Sequence, residues 1–164
     1  MKRIAQFEKV SPEQFKSGSG LDNADAVYEG IKLPARATKG SAGYDIYAPF
    51  DITLSPGETI KVPTGIRAKI EDGWVLKLYP RSGLGFKFRL QLDNTVGIID
   101  SDYYFSDNEG HIFIKITNDT NAGKTVEIPA GTAFAQGIFV QYLLTEDDDA
   151  TEIRNGGLGS TDKK

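Results

Sequence analysis

The sequence predicts an all-β fold, a jelly-roll-like barrel or sandwich, with a short N-terminal helix and a flexible C-terminal tail. Glycine (18 residues) and proline (7 residues) interrupt the chain at short intervals, and the segments between them are rich in β-branched and aromatic residues. Many short strands separated by turn residues are typical of sandwiches and barrels. With 164 residues, the chain is long enough for one domain with a substantial core.

Several segments alternate in the way that a half-buried strand requires. Residues 112–117 place three isoleucines on one face at a period of two. Residues 74–79 are predicted to form a strand that ends at Pro80. Proline-glycine turns at 55–58 and 129–131 separate such segments. Further strands are predicted at 60–62, 66–70, 125–128 and 138–142.

The best helix candidate lies near the N-terminus. Ser11 can cap a helix, Pro12 suits its first position, and Gln14 would complete a capping box. We expect this helix to end after one or two turns, before an exposed loop at 17–27. Residues 1–150 are therefore assigned to a β-domain, of which 1–30 form an extension with a short helix and a loop.

The C-terminal segment changes in character. An acidic run at 145–150 is followed by a small, polar, glycine-rich stretch at 154–164. Such a composition cannot bury enough apolar surface to form a core, so it should be mobile on its own. Residues 151–164 are predicted to form a flexible arm.

The composition excludes several classes of function. The chain has no cysteine, which excludes disulfides, thiolate catalysis and cysteine zinc sites. A formal net charge of −4 gives no support to broad nucleic-acid binding. The absence of a long apolar run and of a signal-peptide core predicts a cytoplasmic protein without a membrane partner. With His111 as the one histidine, no Ser-His-Asp triad can be assigned, which favours carboxylate-and-metal hydrolysis.

The segment 80–85 could bind phosphate. Arg81 offers a planar fork of donors, Ser82 adds a hydroxyl, and Gly83 allows backbone N–H groups to approach an anion. A strand-to-loop turn with a surface arginine is the alternative, and the spacing alone slightly favours that alternative.

Three further polar positions could carry chemistry. Asp100, if it lies at the edge of an apolar pocket, could orient and deprotonate a water, and Tyr103 could stack on a sugar or base. Asp45 could hold a magnesium-bound water, and Gln136 needs a partner that is either backbone or a ligand phosphate. The alternatives are solvated or backbone-bound aspartates, a tyrosine at the edge of the core, and an amide bound to backbone.

The order of these segments resembles the five ordered motifs of the trimeric dUTPases. The motifs match residues 42–45, 80–84, 97–103, 134–136 and 156–161, within roughly residues 31–162. The resemblance implies a dUTP diphosphatase that uses Mg²⁺ to form dUMP and pyrophosphate, lowering dUTP and supplying dUMP for thymidylate synthesis. It also implies a homotrimer with active sites between subunits, each closed by the C-terminal arm of one chain.

The resemblance assigns roles to individual residues. The aspartate matching Asp100 activates the water that attacks the α-phosphorus, and the tyrosine matching Tyr103 packs against deoxyribose. Asp45 would reach Mg²⁺ through water, with the ion held mainly by the triphosphate. A hairpin at 94–99 would read uracil through backbone groups. The substrate-binding residues would be Arg81, Ser82, Gly83, Asn94, Gly97, Ile98, Ile99, Tyr103 and Gln136, with Arg154, Leu158, Gly159 and Ser160 from the arm.

Some positions depart from the family pattern. Residues 104–109 form a short insertion, which we expect to lengthen a hairpin near the sugar site. Ala133 stands where the family usually has an arginine, and Leu158 where a phenylalanine stacks on uracil. Only Asn155 separates Arg154 from the glycine pair, and Asp162 replaces the usual final glycine, so the motif does not fix the register of Arg154.

Two alternative functions stay open. A dCTP deaminase shares this fold, but the serine-rich arginine motif of that family is not found here. Ammonia release from dCTP would favour it. A regulatory binder, as some phage-encoded relatives are, would use the nucleotide-bound trimer to contact a protein partner through residues 104–110. A pull-down with and without dUTP would distinguish that function.

Overall fold

The computed structural model describes residues 1–154 and Gly156, which form antiparallel sheets packed as an open sandwich rather than a closed barrel. None of the helices in these residues is long and apolar enough to cross a membrane. The helices are α1 (Pro12–Ser19), α2 (Ala24–Glu29), α3 (Ser82–Phe88) and the 3-10 helix Ser101–Phe105. The strands are β1 (Ala5–Lys9), β2 (Tyr44–Tyr47), β3 (Ile52–Leu54), β4 (Thr59–Pro63), β5 (Ile66–Ile70), β6 (Trp74–Pro80), β7 (Leu90–Leu92), β8 (Gly97–Ile99), β9 (Phe113–Asn118), β10 (Val126–Ile128) and β11 (Ala133–Gln141).

The strands of the described residues form four antiparallel groups. The largest sheet has the order β2-β11-β6-β8, and a second sheet has the order β4-β9-β7. The pairs β1-β5 and β10-β3 complete the arrangement. In the largest sheet, Gln136 on β11 lies opposite Asp45 on β2 and Tyr79 on β6. Three of the sequence motifs therefore lie side by side on neighbouring strands.

The period-two pattern predicted for residues 112–117 is confirmed by their burial. Ile112, Ile114 and Ile116 are at most 1% exposed, whereas Lys115 between them faces solvent. Full burial of such a side chain contributes about 1.5–3 kcal/mol relative to exposure. The other predicted strands all overlap observed strands, so alternation and turn residues located these strands correctly. The sequence did not predict β1, β2, β3, β7 or β8 as strands.

The N-terminal extension contains more structure than the sequence predicted. The Ser11 hydroxyl accepts a hydrogen bond from the Gln14 N–H at 3.1 Å, which confirms the helix cap. Helix α1 continues to Ser19, however, and α2 follows, so the predicted loop at 17–27 is wrong. Phe15 on α1 is fully buried, and this tertiary burial outweighs the poor helix propensity of the Ser-Gly-Ser segment.

The insertion at 104–109 does not lengthen a hairpin, so that prediction is wrong. After β8 the chain forms the 3-10 helix Ser101–Phe105 and a turn that packs against the N-terminal extension. The Tyr104 hydroxyl donates to Glu8 on β1 at 2.8 Å, and the Arg67 guanidinium lies 4.4 Å from the Tyr104 ring centroid. These contacts to β1 and β5 explain why the insertion folds back.

Glu109 binds the start of α1. Its carboxylate accepts hydrogen bonds from the Ser11 backbone N–H at 2.7 Å and from the Ser11 hydroxyl at 2.6 Å. Burial opposes ionisation, but these two bonds hold the pKa of Glu109 below its usual range. The predicted capping box is therefore wrong. The Ser11 backbone N–H donates to Glu109 of the insertion and not to the Gln14 side chain.

His111 is buried between α1 and β9. Its side chain is fully buried, and Nε2 accepts a hydrogen bond from the Gly65 N–H at 3.0 Å. The ring packs against Phe113, with centroids 4.2 Å apart, and against Phe15. Burial lowers the pKa of His111 to about 4; the charge of Glu109 opposes the shift and that of Lys61 adds to it.

The buried His111 predicts a loss of stability in acid. Because the folded-state pKa of about 4 lies below the ordinary 6.5, the unfolded chain binds more protons between these values. The contribution of neutral His111 to the free energy of unfolding is fully present above pH 6.5. It falls by roughly 3 kcal/mol as the pH drops towards 4. Urea denaturation across this range measures the loss. His111→Gln keeps an acceptor for Gly65 but does not titrate, so an equally steep decline in the variant would contradict the assignment.

Candidate functional site

The sheet β2-β11-β6-β8 brings together the side chains predicted to bind phosphate and magnesium. The Arg81 guanidinium, which follows β6, binds the Asp45 carboxylate with Nη1 and Oδ2 2.6 Å apart. Gln136 Nε2 donates to the Pro80 carbonyl at 3.2 Å. The sequence left open whether the Gln136 amide binds backbone or ligand, and its donor is bound to backbone. Each of these side chains is thus held in position by a group on another strand of the same sheet or directly after it.

The segment after Arg81 forms a helix rather than an open loop. Helix α3 begins at Ser82, and the Gly85 N–H donates to the Arg81 carbonyl at 2.9 Å. The first N–H groups of a helix have no partner within the helix, so Ser82 and Gly83 can present donors to an anion. A Cβ added at Gly83 would meet no atom within 4 Å. Packing within the chain therefore does not require glycine at this exposed position.

A cavity of about 790 Å³ opens beside α3. Arg81, Gly83 and Lys87 line it on the side of α3, and Lys124 and Glu127 line it on the side of β10. Its volume is that of a typical small-molecule site. Three cationic side chains against one carboxylate make the cavity suited to an anion. The sequence motifs predicted Arg81 and Gly83 here but not the lysines.

The segment 94–99 connects two sheets. Strand β7 pairs with β9, whereas β8 pairs with β6 at the edge of the largest sheet, so the predicted hairpin is wrong in its pairing. Because β8 has one neighbouring strand among residues 1–154 and 156, the outer row of its backbone N–H and C=O groups is unpaired within this part of the sheet. Thr95 has a φ of 65°, a costly conformation for a β-branched residue, and the Val96 N–H donates to the Asn94 carbonyl at 2.7 Å. This constrained turn leads to fixed backbone groups that a planar base could bind.

Asn94 borders a second cavity of about 310 Å³. Lys61, Phe113, Lys115 and Asp93 line the remainder of this cavity. Asp93 binds Lys115 at 3.1 Å, and a hydrogen bond from Thr117 holds the pKa of Asp93 below its usual value. The cavity has the volume of a small ligand pocket and lies at the turn that precedes β8.

Gly97 is required for the close approach of β8 to β6. A Cβ at this position would lie 2.9 Å from Leu78 Cβ. We expect Gly97→Ala to destabilise the protein by about 1–3 kcal/mol, because the side chain would overpack the contact. Gly85→Ala is the matched control, since its Cβ would meet no atom within 4 Å. Urea denaturation that shows the two variants equally stable would contradict the close contact.

Asp100 directly follows β8, and its carboxylate binds Arg154. Arg154 Nη2 donates to Asp100 Oδ2 at 2.7 Å, and Arg154 Nε donates to Asp102 Oδ1 at 2.9 Å. The Asp100 side chain is 46% exposed. The Ser106 hydroxyl donates to the Gly156 carbonyl at 3.2 Å. The beginning of the predicted arm thus lies on its own chain's 3-10 helix, a contact between residues 54 positions apart that no motif spacing indicates.

Tyr103 belongs to the 3-10 helix Ser101–Phe105, and its side chain is buried in the core. It is 5% exposed, and its hydroxyl donates to the His111 carbonyl at 2.7 Å and accepts from Asn108 Nδ2 at 2.9 Å. Burial raises the pKa of this hydroxyl. The remaining predicted arm residues, Leu158, Gly159 and Ser160, lie outside the described residues.

Asp100 and Arg81 lie towards opposite ends of β6. Ile99 on β8 is opposite Leu76, which places Asp100 beside Val75. At about 3.3 Å per residue, the six positions from Val75 to Arg81 correspond to roughly 20 Å. The described residues of one chain therefore do not place the predicted water-activating carboxylate and the predicted phosphate-binding arginine around the same phosphate.

A magnesium site made of protein ligands alone does not fit the residues 1–154 and 156. No group of three or more His, Cys, Asp or Glu side chains that could hold a metal occurs among them. Asp45 offers one carboxylate, of which one oxygen already binds Arg81. Mg²⁺ keeps several waters and commonly binds through one or two carboxylates and substrate phosphates. The donor set therefore fits an ion held mainly by phosphate.

Sequence comparisons with known proteins agree on one family. The family model described as dUTPase matches residues 29–162. The chain is 44% identical over 135 residues to the deoxyuridine 5'-triphosphate nucleotidohydrolase of Lactococcus lactis subsp. lactis strain IL1403, covering 80% of this chain and 89% of that protein. It is 39% identical over 140 residues to the protein of the same name from Shewanella baltica strain OS155, covering 80% and 88%.

Solved structures share the fold. The crystal structure of the dUTPase from Streptococcus mutans superposes with a TM-score of 0.66 at 37% identity, covering 85% of this chain and 98% of that chain. A mutant dUTPase from phage phi11 of S. aureus, which coordinates a structural Mg(II) ion, has a TM-score of 0.66 at 24% identity and covers 92% and 98%. The arrangement of sheets described above is thus the one these proteins have.

Proposed function

The chain belongs to the dUTPase family and hydrolyses dUTP to dUMP and pyrophosphate, and we propose that a water activated by Asp100 attacks the α-phosphorus. The observation that carries this proposal is the direct continuation of the edge strand β8 into Asp100. A base bound to the free backbone edge of β8 would place the sugar and α-phosphate near the next residue along the chain.

The chemistry requires a proton acceptor and neutralisation of charge. Asp100 orients the water and takes its proton as the new P–O bond forms, and pyrophosphate leaves. A positioned general base contributes about 10²–10⁴-fold to such a step. Arg81, the Gln136 amide and the free N–H groups of α3 lie where they support a role in binding the phosphates. Mg²⁺, held by the triphosphate and reached by Asp45 through water, would neutralise phosphate charge when bound.

Arg154 must release Asp100 before that carboxylate can act as a base. We propose that the triphosphate attracts the guanidinium from Asp100 and Asp102, so that the arm closes over the nucleotide. Because ion pairs near the surface contribute little net stability, Arg154 can exchange the two carboxylates for a phosphate at little energetic cost. Leu158 would then cover the base by aliphatic contact, with Gly159 and Ser160 near the phosphates.

The active site is proposed to lie between subunits of a homotrimer. The separation of roughly 20 Å between Asp100 and Arg81 supports this arrangement, because a second chain must supply the missing group. Exposed apolar side chains provide surface for subunit contacts. They include Phe86 on α3, which is 93% exposed, and Leu143 after β11, which is 89% exposed. A closed ring of three identical interfaces would contain three such sites.

Selectivity for dUTP is proposed to come from rigid surroundings. A pocket rejects an added methyl group strongly only when its walls cannot move. The constrained Thr95 turn and the tight contact between Gly97 and Leu78 support such rigidity on the base side. Tyr103, held by two hydrogen bonds, would leave no room for a ribose 2′-hydroxyl.

Release of pyrophosphate from dUTP, dTTP, dCTP and UTP tests the proposed substrate. We expect dUTP to react fastest, because it alone combines deoxyribose with an unmethylated uracil. Hydrolysis in ¹⁸O-labelled water should place the label in dUMP, since attack is at the α-phosphorus. Ammonia release from dCTP without pyrophosphate release from dUTP would instead identify a deaminase.

A further inference from the structure

We propose that Lys87 and Lys124 bind the terminal phosphates of the nucleotide, so that the cavity beside α3 favours dUTP and pyrophosphate over dUMP. The inference rests on the proposed function, because it places the β- and γ-phosphates of dUTP in this cavity. It extends that function by adding two cationic residues that no sequence motif indicates.

The cavity is continuous with the segment predicted to bind phosphate. Arg81 and Gly83 belong to that segment and also line the cavity, which has a volume of about 790 Å³. Ala133 lines the same cavity. Its short, uncharged side chain stands where the family pattern usually has an arginine, so this point of the wall leaves open space and carries no positive charge.

The two lysines supply positive charge on opposite sides of that space. Lys87 lies on α3 and Lys124 precedes β10, and both are exposed. Within the part of the chain that the structure describes, no carboxylate lies within 4.0 Å of either ammonium group. Lys87 instead lies 4.9 Å from the ring centroid of Phe88. Glu127 is the single carboxylate among the lining residues.

This distribution of charge selects for the end of a polyphosphate. Arg81 is already paired with Asp45, whereas the two ammonium groups are free to bind an anion. Lysine is a flexible point charge that follows a phosphate oxygen without requiring one geometry. The terminal phosphates carry most of the negative charge of dUTP and leave as pyrophosphate. The lysines would therefore stabilise bound dUTP and pyrophosphate but not dUMP.

Lysine-to-glutamine substitutions test the inference. Lys87→Gln, Lys124→Gln and the double variant are compared with Lys69→Gln, an exposed lysine on β5 that does not line the cavity. For the double variant we expect the KM for dUTP and the inhibition constant of pyrophosphate to rise about tenfold or more, the scale of a lost charged hydrogen bond. The inhibition constant of dUMP and the activity of Lys69→Gln should stay unchanged.

The outcomes separate this inference from the proposed function. If the wild type hydrolyses dUTP and the double variant keeps the wild-type KM and pyrophosphate inhibition, the inference is overturned and the function stands. If the wild type does not hydrolyse dUTP, the function fails, and calorimetry with tripolyphosphate still tests the cavity. Binding that is lost in the double variant supports the inference, and equal binding overturns it. The single variants Lys87→Gln and Lys124→Gln are measured in the same way. If Lys124→Arg keeps the affinity that Lys124→Gln loses, the positive charge is responsible.

Discussion

Asp100→Asn should fold like the wild type and lose about 10²-fold or more of its kcat for dUTP, the scale of a removed general base. Asparagine has nearly the same shape but cannot accept the proton of the attacking water. The side chain is 46% exposed and follows the last residue of β8, so the sheet does not depend on its charge. Pyrophosphate release measures the loss, and thermal melting verifies the fold.

Asp102→Asn is the matched control for that variant. Asp102 binds the same guanidinium as Asp100, so its substitution disturbs Arg154 but leaves the proposed base intact. We expect its kcat to stay close to that of the wild type. Equal losses in the two variants would indicate that anchoring of Arg154 matters rather than proton transfer. Full turnover in Asp100→Asn would reject the assignment of the base.

A chain that ends at Ile153 should keep its sheets and lose about 10²-fold in kcat/KM, the scale expected when a substrate is no longer positioned correctly. In the part of the arm that the structure describes, truncation removes the ion pairs of Arg154 and the bond from Ser106 to Gly156. None of these contacts belongs to a sheet. Pyrophosphate release, thermal melting and size-exclusion chromatography test the three expectations of lost rate, intact fold and unchanged assembly.

Arg154→Gln separates the arm from its charge. It retains the glycine-rich segment but cannot form ion pairs with Asp100, Asp102 or phosphate. We expect a smaller loss than in the truncated chain, because the remainder of the arm can still cover the nucleotide. A truncated enzyme with the wild-type rate would exclude the lid, and a smaller assembly after truncation would show that the arm is structural.

The sequence was sufficient to predict six of the eleven strands in the described residues, because the pattern of a strand is local, whereas the pairing of strands into sheets is not. In residues 112–117, alternation alone placed Ile112, Ile114 and Ile116 on the buried face. The order of the motifs also grouped Asp45, Arg81 and Gln136, which the register of β2, β11 and β6 brings side by side. Their catalytic roles stay predictions, since adjacency shows where a side chain lies and not what it binds.

The parts that sequence reasoning missed depend on contacts between distant residues. Helix α2 and the last turn of α1 have weak local preferences, and burial of Phe15 and Ala24 stabilises them. Glu109 reaches Ser11 across 98 positions, and Arg154 reaches Asp100 across 54. No periodicity or spacing encodes such pairs, so the fold of the insertion and the position of the arm could be found only in the structure.

Mixing two inactive variants tests the shared site most directly. Asp100→Asn and Arg81→Ala chains are each expected to be inactive, because each lacks one group at every site. If Asp100 and Arg81 act together from neighbouring subunits, trimers refolded from an equal mixture should regain activity, with about one quarter of their sites intact. No recovery in mixed trimers verified by native mass spectrometry would contradict a site divided between chains.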